Sequence, residues 1–224
     1  MAKDIFEAAQ ERAEKFGIRN VVVATNTGTS ARRALEVFGK GCQVYAVGNP
    51  ASAHERGLVH HKGVSEETKG RLEADGFEVI LADQSLEQAI YHGRGTVTIG
   101  GREFDLAGKH FEWAALREVI EGAAPETPFN PLAIVFGVLN WFSDVTRVCV
   151  EIMFMAADSG QLPLDADCVS IARPSDRSNC CHAAVVLTPV RSDDMFKGRL
   201  RIKDVVLVPG PRDHWFNDQP LWQG

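Results

Sequence analysis

Hydrophobic and polar positions change their period several times along the chain, and each change predicts an element. Ile5, Ala9, Ala13 and Phe16 recur at helical spacing with Gly17 behind them, the pattern of an amphipathic helix closed by a glycine. Val21-Val22-Val23-Ala24 runs apolar without alternation, as a strand does when a parallel sheet is covered on both faces. Ala31, Ala34, Leu35 and Phe38 form the stripe of a crossover helix, and Gln43 to Val47 supplies the next strand, broken by Gly48-Asn49-Pro50.

Ser65 with Glu66 and Glu67 behind it has the composition of a helix start, and Asp75-Gly76 stops that helix before a strand from Phe77 to Leu81. A further helix is expected from about Ser85 to Tyr91. Between residues 93 and 130 the rhythm breaks. Gly93 and Gly95 precede a short strand, Thr96 to Ile99, Gly100-Gly101 suits a hairpin turn, and Phe111 to Ile120 reads as a helix before Pro125, Pro128 and Pro131. This segment is too small to bury a core alone and is expected to be an insertion.

Arg147 to Met155, RVCVEIMFM, reads as the strongest central strand after the first and runs into Ala156-Ala157-Asp158-Ser159-Gly160. Strands are also expected at Cys168 to Ile171, Ala183 to Thr188 and Ile202 to Val208, close enough together to pair as an antiparallel extension. The expected fold is therefore α/β with a mostly parallel sheet. It occupies one domain over residues 1–208, followed by a tail over 209–224 whose aromatic residues suit a flexible end or an oligomer contact.

Composition narrows the function. With 45% apolar residues in 224, the chain can bury a real core, and a net charge of −6 argues against a broad nucleic-acid surface. The acid-bearing start lacks a signal-peptide core, and the longest apolar run, Leu132 to Phe142, is too short to span a bilayer, so a cytoplasmic protein is expected. Cys42, Cys149, Cys168, Cys180 and Cys181 have no paired zinc spacing and are odd in number, which suits free thiols in a reducing compartment.

The chemistry concentrates in Thr25-Asn26-Thr27-Gly28-Thr29-Ser30, between a strand that stops at Ala24 and a helix that starts near Ser30. At such a junction the unpaired helix N–H groups favour an anion, hydroxyls add donors, and Gly28 allows a positive φ or a close approach. Phosphate binding and plain capping by Thr29 or Ser30 are both open on the residues alone.

The run Thr25 to Arg32 resembles the T-x-S-G-x-S-A-R pattern of the pyruvate kinase C-terminal domain, with Thr25, Gly28, Ser30, Ala31 and Arg32 matching and Thr27 in place of serine. VVVATNTGTSARRALE and RVCVEIMFMAADSGQLPLD further resemble the stand-alone pyruvate kinase C-terminal-like proteins, over residues 5 to 92 and 145 to 208. The resemblance implies a three-layer α/β/α fold and a bound phosphorylated small molecule, with FMN as the expected cofactor. It also implies ligand contacts from Asp158, Ser159 and Gly160, which would share one sheet edge with the loop if both preceding strands were parallel; Asn49 is expected in the same crevice. An Asx-type turn is the alternative for Asp158 to Gly160.

The chain departs from that family at Ala172 to Ala184, where Arg173 and Arg177 offer positive charge instead of a glycine-rich segment. Cys180-Cys181-His182 and His60-His61 read as structural or solvated, and no metal site is expected. No nucleophile elbow, P-loop, Rossmann glycine triplet or HExxH motif is present, and without a barrel there is no pyruvate kinase active site. Three functions follow: a flavin-dependent enzyme, a non-catalytic sensor of sugar phosphates or nucleotides, and, more weakly, a hydrolase or lyase using Asp158 with His60 or His61. Assembly into a homo-oligomer through a sheet edge or the tail is left open.

Overall fold

Six of the apolar runs become neighbours in one sheet. The fold comes from a computed structural model, which describes residues 4–55, 62–83, 96–99, 102–105, 135, 138–139, 141–173 and 182–208. The chain opens with α1 (Ile5–Phe16), β1 (Asn20–Ala24), α2 (Thr29–Phe38) and β2 (Gln43–Gly48), followed by α3 (Ala51–Glu55), α4 (Glu66–Ala74) and β3 (Glu78–Leu81). After β4 (Thr96–Ile99) and β5 (Arg102–Asp105) come α5 (Asp144–Asp158), β6 (Cys168–Ala172), β7 (His182–Thr188) and β8 (Arg201–Val208). The expected helices at 85–91 and 111–120 fall outside the described residues.

The main sheet has six strands in the order β3-β2-β1-β6-β7-β8. The first four run parallel, and β7 and β8 extend them antiparallel, so the α/β class and its antiparallel end are as the pattern predicts. β4 and β5 pair antiparallel in a sheet of their own, matching the hairpin reading.

Alternation along β1 separates two apolar clusters. Val21 and Val23 pack with Ile5, Phe6 and Ala9 of α1 and with Ala31 and Ala34 of α2. Val22 turns the other way, joining Tyr45, Val47 and the apolar side chains of α5. A strand buried on both faces gains nothing from polar alternation, which is why Val21 to Val23 reads as an unbroken run.

One prediction fails. Arg147 to Met155 is not a strand but the middle of α5, a helix of 15 residues. Ser143 starts it by accepting a hydrogen bond from the Thr146 N–H at 2.9 Å, and Asp144 sits in the first turn where the dipole favours an acid. The helix is buried around its whole circumference. Cys149 and Met153 pack toward the sheet, while Arg147, Glu151 and Phe154 project from the opposite side and are buried too. Its polar positions Asp144, Arg147 and Glu151 do recur at helical spacing, but the β-branched Val148, Val150 and Ile152 beside them alternate as in a strand, and only length and cap decide.

The correction changes which residues share an edge. β1, β2 and β6 are parallel, so their carboxyl ends deliver Thr25, Asn49 and Arg173 to one edge of the sheet. Asp158 lies at the other. Its Oδ1 accepts from the Ser192 N–H at 2.9 Å, and Ser192 follows β7, whose Leu187 is paired with Cys168 at the start of β6. Asp158, Ser159 and Gly160 are therefore about a strand's length, roughly 16 Å, from the Thr25 loop.

Candidate functional site

The loop after β1 is held from three sides. The Thr25 N–H continues the ladder to the Val47 carbonyl at 2.9 Å, and the buried Thr25 hydroxyl accepts from the Gly28 N–H at 3.0 Å. Gly48 makes this approach possible: a Cβ there would stand 2.4 Å from the Thr25 carbonyl oxygen and 2.6 Å from Val64 Cγ2. Gly28, at φ 87°, turns the chain into α2 over the Leu72 side chain.

Helix α2 then begins without a cap. No side chain accepts from its first amides and its first turn holds no acid. The first backbone bond is from the Arg32 N–H to the Gly28 carbonyl at 3.0 Å, leaving the N–H groups of Thr29, Ser30 and Ala31 without an acceptor among the described residues. The Thr27 and Thr29 hydroxyls lie 3.1 Å apart beside them, and Asn26, Thr27 and Thr29 are exposed. Nothing in the loop itself performs the capping that the residue types permit.

Next to this start is an open hollow of about 380 Å3 lined by Asp4, Thr29, Arg32, Arg33, Glu36 and Arg173. Arg33 is engaged by Asp4 at 3.0 Å, Glu7 at 3.3 Å and Glu36 at 3.4 Å, and the Asp4 hydrogen bond chiefly holds its guanidinium above the ordinary pKa. Arg32 is paired with Asp75 at 2.9 Å. Arg173 has no carboxylate partner among the described residues; its guanidinium rests 6.0 Å from the ring centre of the buried Phe6.

Asn49 is buried at the same edge, and its Nδ2 donates to the Ala82 carbonyl at 3.0 Å. Its own carbonyl accepts from the Val64 N–H at 2.8 Å, so it ties the ends of β2 and β3 together beside the loop. Asp158, Ser159 and Gly160 instead finish α5. The Ser159 hydroxyl donates to the Ala156 carbonyl at 2.8 Å, and Gly160 adopts φ 76°, a glycine-ended helix terminus. They do not line a crevice with Thr25 to Ser30.

Sequence reasoning missed Asp4, Arg33 and Glu36. The signal available was the spacing of Thr29, Arg32, Arg33 and Glu36, which places them along one side of a helix; Asp4 arrives only through the packing of α1 on α2. The candidates His60, His61, Arg177, Cys180 and Cys181 lie outside the described residues. Cys42, Cys149 and Cys168 are free thiols, and burial pushes the Cys168 thiol far above its usual range.

Among the described residues no helix is long and apolar enough to cross a membrane, and no three His, Cys, Asp or Glu side chains gather as a metal site would require. No protein-family model matches the chain.

Proposed function

We propose that this protein binds a phosphorylated small molecule, FMN foremost, with its phosphate on the Thr25–Ser30 loop at the start of α2. The observation that carries the reading is the uncapped helix: three amide donors and an N-terminal dipole are left for an anion beside exposed hydroxyls and arginines. The residues present fit the phosphate end of FMN. Thr29, Ser30 and Ala31 would donate main-chain N–H groups, Thr27 and Thr29 hydroxyls, and Asn49 keeps the neighbouring strand ends in place. Bound FMN would supply redox chemistry, with the protein binding and orienting it. The likeness to pyruvate kinase C-terminal-like proteins supports the same ligand class. Free buried thiols and a net charge of −6 support a cytoplasmic location with no nucleic-acid partner.

The test is titration of the purified chain with FMN, followed by flavin fluorescence and thermal melting. At a ligand concentration near 100 Kd the expected rise in melting temperature is roughly 5–10 °C. No uptake of FMN overturns the flavin assignment. If inorganic phosphate and sugar phosphates also leave the melting temperature unmoved, the phosphate seat itself is wrong; stabilisation by sugar phosphates alone keeps the seat and changes the ligand to the sensor's class.

A further inference from the structure

We infer that Arg173 sets the charge selectivity of the hollow beside α2, so that the site takes a phosphate monoester as its dianion and discriminates against the monoanion and against the uncharged alcohol. The inference rests on the phosphate reading above and adds to it the residue that chooses the ligand's charge.

The hollow is lined by three guanidiniums and two carboxylates. Two of the guanidiniums are already engaged, Arg33 by Asp4, Glu7 and Glu36, and Arg32 by Asp75. Their positive charge is largely spent within the protein, and Asp4 and Glu36 repel any anion that enters. What tips the balance toward an anion is Arg173, the lining cation with no carboxylate partner among the described residues.

Its position is set by the fold. Arg173 follows the last residue of β6, and β6 runs parallel to β1 with Asn20 opposite Cys168 and Val23 opposite Ile171, so it emerges on the edge that carries Thr25. The Phe6 face under the guanidinium belongs to a fully buried ring of α1. An aromatic face orients a guanidinium without neutralising it, leaving the planar fork free for a bidentate contact to phosphate. A phosphate monoester gains its second charge near pH 6, so a site with one uncommitted guanidinium discriminates most between pH 5.5 and 7.5.

The experiment titrates wild type, Arg173→Gln, Arg173→Lys and Arg191→Gln with FMN, riboflavin and inorganic phosphate. Arg191 is an exposed arginine beyond the end of β7, at the opposite sheet edge, so its change alters net charge equally without touching the hollow. Arg173→Gln is expected to weaken FMN and phosphate by about tenfold to a hundredfold. Riboflavin should be unaffected, Arg191→Gln should match wild type, and Arg173→Lys should lie between. The fall in FMN affinity from pH 7.5 to 5.5 should flatten in Arg173→Gln, which a purely structural role would not produce. FMN binding by Arg173→Gln equal to that of Arg191→Gln overturns the inference and leaves the loop reading intact. Wild type that binds neither FMN nor phosphate overturns both.

Discussion

The helix starts of α5 and α4 are built oppositely to that of α2. α5 begins under Ser143, whose hydroxyl oxygen receives the Thr146 N–H, with Asp144 in the first turn; α4 repeats the device with Ser65, Thr68, Glu66 and Glu67. α2 has serine and threonine in its first turn and uses neither as a cap; it carries no acid, and Gly28 stands at its N-cap. The first two ends are finished within the chain. The third is left electrostatically incomplete at the edge where the four parallel strands end, beside Arg32 and Arg173. What separates the closed helix starts from the open one is therefore where the hydroxyls point and whether an acid stands in the first turn.

The most damaging way to break the contrast is at Gly48. Gly48→Ala puts a methyl 2.4 Å from the Thr25 carbonyl oxygen and 2.6 Å from Val64 Cγ2, and is expected to cost about 3 kcal/mol in urea unfolding. It should also abolish FMN uptake. An unfolding midpoint equal to wild type would mean that the loop does not need this close approach.

Alkali should load the α5 side. Cys168 is fully buried there, and burial raises its thiol above the ordinary value of 9.0. The folded state then holds a proton that the unfolded chain releases. Stability from this group is complete below pH 9.0 and falls above it, by up to about 1.4 kcal/mol per pH unit. Cys168→Ala should flatten the alkaline limb of a stability profile taken between pH 8 and pH 10.5; a profile as steep as wild type's would remove Cys168 as its source.

The caps give a smaller and more selective comparison. Ser65→Ala and Ser143→Ala should each lower stability by about 1 kcal/mol, whereas Ser30→Ala in the ligand-free protein should stay within about 0.5 kcal/mol. Equal losses at all three serines would show that Ser30 caps α2 after all. Finest of all is Ser30→Asp, which supplies the acid that the first turn of α2 lacks. It should stabilise the free protein by roughly 0.5 kcal/mol while removing the thermal shift caused by phosphate. Stabilisation with the phosphate response intact would separate the helix start from the anion site.

Much of the fold was legible because its signals are local. The stripe of α1, the glycine at its end, the covered run of β1 and the Ser65 start of α4 each depend on residues within a turn or two of one another. α5 was not, since alternating β-branched residues across Val148, Val150 and Ile152 outweigh the helical spacing of Asp144, Arg147 and Glu151. That single misreading displaced Asp158, Ser159 and Gly160, because a residue's place at a sheet edge follows from the direction of the element before it. VVVATNTGTS and IMFMAADSG look alike as apolar runs ending in polar turns; one closes a strand and opens a helix, the other closes a helix. Of the candidate site, the loop Thr25 to Ser30 is legible from residue types, but Asp4 meets Arg33 across 29 positions of sequence, and no local pattern encodes that pair.

The outer strand β8 is guarded along half its length. Arg201 and Lys203 occupy its first part, and the ladder to β7 slips there, with Ile202 opposite Leu187 and Asp204 opposite Val186, so that Lys203 is left over. Val205-Val206-Leu207-Val208 carries no charge, and no strand pairs with its outer side among the described residues. Lysines and bulges deter one molecule's sheet from adding to another's. In a concentrated solution the second half of this last strand is thus an uncharged edge onto which another molecule's sheet can add, and one charge placed among its four residues would close it.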